Sequence, residues 1–415
     1  MGFLIFQMLC YFSGIAFSTG GGNNPEQQSS SFIYLKALLI MVPVLSVIFK
    51  VIIRPAFTLS AIIQVIKQNL LLCLYFAMCF LVLPFAVNWE YSLIRLSYTL
   101  FQLISLFCLL SQFQYRFLKD DIYTILKDSL HYLSLLSLVL PIYVLVINRL
   151  SVDNFRFALQ SINLIHPNIL ASFYALLLTG HMTVLTYSNE NKHSAFVFIA
   201  ILAILEALLF SRTAILALII GICMLPFLNT VFKKSTKSLL ISLGLLFLAM
   251  TTFVLTAVGI LSIDDILSIF TRNDTVSSMM TLTKRTVLWS ELLSRIDIKV
   301  FFLGYGYSVI SENYGIDFGT GILYGAHNAY LSVLLGSGIV SFLFIIFYLI
   351  RNIIFFLSAR SQITYVFLIN LITSYIVFFI ICFSSEEMGI NLSINFSYLI
   401  FLTNMAFLLK EDKRT

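Results

Sequence analysis

The sequence predicts an all-α fold, a polytopic bundle of about twelve membrane-spanning helices. Three observations lead there. Charged residues make up 11% of the 415, where soluble domains carry about 25%. The hydrophobic set is 60%, and Phe alone occurs 40 times. Apolar runs of about 20 residues, enough to cross a hydrocarbon core about 30 Å thick, recur along the whole chain. So few charges cannot clothe a soluble surface. The net charge of +6 is no argument for nucleic acid, because Lys and Arg in such chains serve mainly to orient loops. Cys10, Cys73, Cys79, Cys108, Cys223 and Cys382 all sit in apolar runs without CxxC or Cys/His spacing. They read as small packing residues.

The expected spans lie at roughly 2–19, 32–49, 68–87, 93–111, 131–149, 168–187, 194–211, 212–232, 238–259, 328–350, 361–382 and 392–409. The stretch 351–359 is apolar but short; it either extends the tenth span or lies along the interface. No Lys or Arg precedes the first run, so it reads as a retained helix rather than a cleaved signal. With the N-terminus inside, the cytoplasmic segments hold fifteen Lys and Arg, including Lys50, Arg54, Lys233 and Arg351; the short outer loops hold Arg149, Arg156 and Arg212. That bias puts both termini in the cytoplasm. Lys36 and Arg95 lie just inside outer helix ends, where they can snorkel. The segments 50–67 and 112–130 read as interfacial helices. The chain then divides into 1–163 with the first five spans, 164–260 with four more, a long outer loop at 261–327 containing short helices, and 328–415 with the last three and a cytoplasmic tail.

Chemistry must therefore sit at the outer face or within the membrane. Arg212 stands where one helix reaches the outer surface and the next returns. Glu206 lies about 9 Å earlier along the axis at 1.5 Å per residue. Ionisable residues in a span are costly and point to function, although a structural Glu206–Arg212 pair would also account for them. In the long loop, TKRTVLWSELLSRI reads as an amphipathic helix capped by Thr283. Its Arg285 and Trp289 are four apart and share a face. Such a pair suits a phosphate beside a sugar ring; an interfacial Trp anchor is the alternative. Then Gly304 and Gly306 flank Tyr305, the mark of a tight turn that would let the chain pass close to a ligand. His327 and Asn328 stand at the mouth of the tenth span. A neutral imidazole there can take a proton from a hydroxyl; it can also simply cap the helix. His166 opens the sixth span before Pro167; it would line the same cavity or serve simply as a polar helix-entry residue. His131 and His193 fall on the cytoplasmic side, and His181 reads as a packing contact. The adjacent Asp264 and Asp265 diverge on a helix, and Glu386 and Glu387 read as solvated. No metal motif is present.

Taken in order, HPNILA, LFSRTAILAL, KRTVLW, LGYGYS and AHNAYLSVLLGSGIVS resemble the O-antigen polymerase and O-antigen ligase superfamily of bacterial envelope proteins. The resemblance covers roughly 164–350; the first 160 residues match by hydropathy alone. It implies glycosyl transfer at the periplasmic face of a bacterial inner membrane. The donor would be a glycan on undecaprenyl pyrophosphate, and no cofactor or metal would be needed. Arg212 and Arg285 would bind the pyrophosphate, and His327 would orient or deprotonate the attacking hydroxyl. Trp289, Asn328, Tyr305, His166 and Glu206 would complete the substrate site. The partners implied are the lipid-linked oligosaccharide, the bilayer, and a flippase and chain-length regulator of the same pathway. The SRTA turn and the AHNAYL…GSGIV ending look more like the polymerase branch than the ligase branch. A lipid-linked oligosaccharide flippase is the third reading, against which stands the lack of an internal repeat.

Overall fold

The computed structural model describes residues 2–18, 30–113, 119–147, 167–187, 192–209, 211–233, 285–309, 316–317, 323–324, 326, 328–358, 365–382 and 393–411. Each expected span falls on a helix except 238–259, which lies outside the described residues. The helices are α1 (Gly2–Ser18), α2 (Ser30–Ile53), α3 (Pro55–Gln68), α4 (Leu70–Leu81), α5 (Trp89–Phe113), α6 (Lys119–Ile147), α7 (Pro167–Tyr187), α8 (Lys192–Leu209), α9 (Arg212–Lys233), α10 (Arg285–Ser294), α11 (Ile298–Leu303), α12 (Ala329–Ser358), α13 (Tyr365–Cys382) and α14 (Ile394–Glu411). Two residues on each side, Ile316–Asp317 and Leu323–Tyr324, form an antiparallel ladder.

By length and composition, five of these helices can cross a membrane: Tyr34–Ile53, Trp89–Phe113, Lys127–Val146, Pro167–Thr186 and Ala329–Ser358. The bent pair Thr58–Gln68 and Leu70–Phe85 makes a sixth if taken as one span. Leu4–Ser13, His193–Leu209, Thr213–Leu228, Phe367–Cys382 and Ile394–Leu408 are shorter apolar helices. The protein is a multi-pass membrane protein built of helices.

One continuous apolar core runs through the bundle. On one side α1 packs on α2, α2 on α5, and α4 on α12. On the other, α7 is central, touching α8, α9 and α13; its Leu170–His181 stretch is buried throughout. The 351–359 stretch is helical to Ser358, so it extends the tenth span. Residues 119–130, expected as an interfacial helix, instead form the first turns of α6, in one helix with the fifth span.

The junction between the segment 50–67, expected as an interfacial helix, and the third expected span is a sharp bend. The axis turns by 80° between α3 and α4, at Asn69. A break inside a bundle strands backbone groups that must be satisfied. Asn69 Nδ2 donates to Val65 O and to Asn404 Oδ1, both at 2.9 Å. Tyr348 OH donates to Asn69 Oδ1 at 3.1 Å. Arg351 Nη1 donates to the carbonyl of Gln68 at 2.8 Å, placing a cation on a helix C-terminus where the dipole favours it. The bend is thus pinned from α12 and α14, whose polar residues a hydropathy reading treats as incidental.

Candidate functional site

A second, smaller apolar core stands apart from the main one. Leu288 and Leu292 of α10, Val300 of α11, Ala326, and Leu335 of α12 form it, with Trp289, Ile296, Tyr305 and Leu331 packed against it. Local chemistry explains its shape. Asp297 caps α11, its Oδ1 accepting from Val300 N at 2.7 Å. Gly304, at φ 72°, ends that helix, and its N–H donates to Val300 O at 2.8 Å. The chain then turns through Gly306 at φ 124° and Ser308 at φ 64°.

The tenth span is broken where this turn meets it. Gly338 of α12 has φ 76° and ψ 175° inside what the sequence predicted as one continuous span. In an unbroken helix the carbonyls of Leu335 and Gly336 would accept from the N–H groups four residues on; the break frees them. The 304–309 turn takes both, Tyr305 N donating to Leu335 O at 2.7 Å and Gly306 N to Gly336 O at 3.0 Å. The approach is so close that side chains are excluded. A Cβ on Gly304 would lie 2.5 Å from Gly336 C, and one on Gly338 would lie 2.0 Å from Phe302 O. On its other side the turn meets the start of α5, where Val87 N donates to Tyr305 O at 2.8 Å. Tyr307 is buried, and its hydroxyl donates to Thr99 Oγ1 at 3.2 Å. Burial pushes that phenol well above its ordinary range, so it serves as a neutral donor, not as a base.

Three expected site residues meet at this core. Trp289 Nε1 donates to Ala326 O at 2.8 Å. Asn328 is buried, and its Oδ1 accepts from Leu331 N at 3.0 Å, the N-cap geometry of α12. Tyr305 OH donates to Arg295 O at 2.9 Å, just past the end of α10. Position 327 is therefore bracketed: the residue before it is latched by an indole and the one after it caps a helix. His327 itself, Thr283 and His166 lie outside the described residues. Arg285 is the first residue of α10 and Arg212 the first of α9; their side chains are not among those described.

Glu206 is 3% exposed on α8. Neither of its carboxylate oxygens has a hydrogen-bond partner among the described residues, and Tyr174 of α7 lies within electrostatic reach. Both α8 and α9 pack on α7, so the helices bearing Glu206 and Arg212 share a support. Two of the remaining histidines are used in packing, while His193 is exposed at the start of α8. His181 is fully buried, stacked on Phe198 with centroids 4.9 Å apart. Ser134 spends its hydroxyl proton on Leu130 O at 2.8 Å, so His181 Nε2–H is the donor in their 2.8 Å contact. His131 Nδ1–H donates to Lys127 O at 2.8 Å, which leaves Nε2 to accept from Ser194 Oγ at 2.9 Å. Among the described residues no group of three or more His, Cys, Asp or Glu could hold a metal ion.

Residues 195–346 match the O-antigen ligase family model. This segment is that of the O-antigen polymerase and ligase superfamily. It runs from α8 into the second half of the broken α12, so it takes in Glu206, Arg212, the α10–α11 unit and the 326–328 mouth. A search of curated proteins gives no significant match. Within the superfamily segment, the sequence reading had named the turn, the tryptophan and the helix mouth separately. It missed the broken helix that joins them. The signal was present in Gly336-Ser337-Gly338, but glycines are common in membrane helices and that pattern alone does not mark a break.

Proposed function

We propose that this protein is an O-antigen, or related surface polysaccharide, polymerase acting at the periplasmic face of a bacterial inner membrane. The match over 195–346 supports a glycosyltransferase-like enzyme of the O-antigen polymerase or ligase type; the branch, the donor and the residue roles are our reading. The observation that carries it is the bracketing of position 327 by Trp289 and Asn328. A base that must meet a hydroxyl in one geometry needs such supports on both sides.

In this reading the donor is a glycan on undecaprenyl pyrophosphate and the acceptor is a sugar hydroxyl of another lipid-linked repeat unit. The hydroxyl oxygen bonds to the donor's anomeric carbon as the bond to the pyrophosphate oxygen breaks. The hydroxyl proton passes to His327, and undecaprenyl pyrophosphate leaves as an anion. Arg285 and Arg212 hold that anion; a guanidinium offers two parallel donors to a phosphate, and fixed positive charge on the leaving group lowers the barrier. Trp289 and Asn328 act as positioning residues for His327. Tyr305, Glu206 and His166 line the acceptor side. The chemistry asks for no metal or cofactor. A flippase and a chain-length regulator would supply and measure the substrate.

The match to the O-antigen ligase family favours a second reading, ligation of finished polymer to lipid A core. A deletion strain tests the pair. Loss of a polymerase leaves lipopolysaccharide carrying single repeat units; loss of a ligase leaves bare core while polymer accumulates on the carrier lipid. His327→Ala should reproduce whichever pattern the deletion gives. Wild-type chain lengths in His327→Ala would remove that residue from the mechanism.

A further inference from the structure

The first 160 residues contribute no motif to the resemblance, yet α5 runs directly beneath the 304–309 turn. Ser92 is fully buried there, its Oγ 2.6 Å from where a Cβ on Gly306 would sit. Thr99 is fully buried about two turns on, accepting from Tyr307 OH. Arg95 lies three residues from one and four from the other, so the same face of α5 carries all three. Its half-buried side chain is held in place: Nε donates to Tyr91 OH at 2.9 Å, and the guanidinium lies over the Tyr91 ring, 5.2 Å from its centroid. It is also close enough to Tyr307 to bear on that phenol's electrostatics.

Depth matters as much as direction. Trp89 opens α5 and is 53% exposed, the placement of an interfacial aromatic. Arg95 lies about 9 Å further along the axis, at 1.5 Å per residue. A phosphate attached to a lipid sits at that boundary, with its tail in hydrocarbon and its charge toward water. Held on Tyr91, the planar guanidinium presents its fork in a fixed orientation, which suits phosphate oxygens better than a flexible ammonium would.

We propose that Arg95 is a further binding residue of the same outer site, contacting a phosphate of the lipid-linked diphosphate donor from the N-terminal half of the bundle. The inference rests on the polymerase or ligase reading of the site. It gives α5 a direct role that its sequence does not reveal. The ligand chemistry, a phosphate on a lipid, has two sources: the polyprenyl diphosphate donor and an ordinary anionic phospholipid.

The test uses the full-length protein purified in detergent, with undecaprenyl pyrophosphate and phosphatidylglycerol titrated separately by native mass spectrometry. Arg95→Gln, Arg95→Lys and Arg285→Ala are compared with wild type. The proposal expects Arg95→Gln to weaken undecaprenyl pyrophosphate binding by about 10- to 100-fold, the range of a lost charge-assisted hydrogen bond. Arg95→Lys should fall between, and phosphatidylglycerol binding should be unchanged. Loss of phosphatidylglycerol binding with undecaprenyl pyrophosphate binding intact would overturn it in favour of a structural lipid. If Arg95→Gln binds the diphosphate like wild type while Arg285→Ala does not, Arg95 is outside the site and the functional reading stands. If neither variant loses binding, the functional reading itself fails and the proposal with it. Should Arg95→Gln not fold, wild-type affinity in Arg95→Lys overturns the claim that the fork is what binds.

Discussion

Replacing Trp289 by Phe separates two roles that the sequence left open. Phe keeps an aromatic plate of similar size on α10 but has no N–H. The Ala326 carbonyl, which belongs to a fully buried residue, then loses the indole donor that reaches it at 2.8 Å. Leaving a buried acceptor unsatisfied costs about 1–3 kcal/mol. If that cost is felt where it arises, one residue before His327, the transition state loses a comparable amount. At 1.36 kcal/mol per tenfold, that is about 5- to 150-fold in rate. The assay is turnover of a lipid-linked repeat unit by protein reconstituted in liposomes, with kcat and KM resolved. A latch predicts a fall in kcat with little change in KM, because the plate and the phosphate ligands remain. A sugar-stacking role predicts the reverse: Trp289→Phe near wild type, and Trp289→Ala with a raised KM. Wild-type kcat in Trp289→Phe, at equal folded protein, would refute the positioning argument.

Three further outcomes follow from the same geometry. Gly338→Ala forces a Cβ to within 2.0 Å of Phe302 O at a φ of 76°, so it should lose at least about 1–3 kcal/mol of stability and most folded protein; a normal melting curve in detergent would deny the broken helix. Asn328→Ala removes the N-cap of α12 and should cost about 0.5–2 kcal/mol, while Asn328→Ser should restore most of it; equal melting of all three would mean that the cap is not used. A cysteine at Ser278 should react with an impermeant maleimide in intact spheroplasts, from the Lys and Arg bias of the short loops; labelling only after lysis would invert the topology and remove the site from the outer face.

How much was legible in the sequence depended on which physical signal carried it. Hydropathy located the helices because lipid demands apolar length, and so α2, α5, α7 and α12 fall where their runs predict. The tight turn at Gly304 and Gly306 was legible because only glycine tolerates such φ values without strain. The helix after KR was legible from spacing, down to Trp289 lying on it. What stayed hidden were contacts between distant segments. Asn69 falls at the start of the third expected run, and only its partners Tyr348 and Asn404 show that it pins an 80° bend. Gly338 reads as one more membrane-helix glycine until the Tyr305 and Gly306 amides are seen on the carbonyls it frees. Trp289 and Asn328 were read as substrate contacts because residue type says what a side chain can bind, not which backbone group already occupies it. Arg95 was read as a snorkelling charge for the same reason: its neighbours across the turn are more than 200 residues away.

The most direct test of the central claim is the reaction itself, run with purified protein in liposomes. The substrate is a single repeat unit on undecaprenyl pyrophosphate, supplied without nucleotide and with a chelator present. The account predicts carrier-linked products of two and more units, with one undecaprenyl pyrophosphate released per linkage, and neither product from His327→Ala or Arg285→Ala. Absence of oligomers from wild-type protein, with transfer appearing only when lipid A core is added as acceptor, would contradict it and assign the chain to ligation.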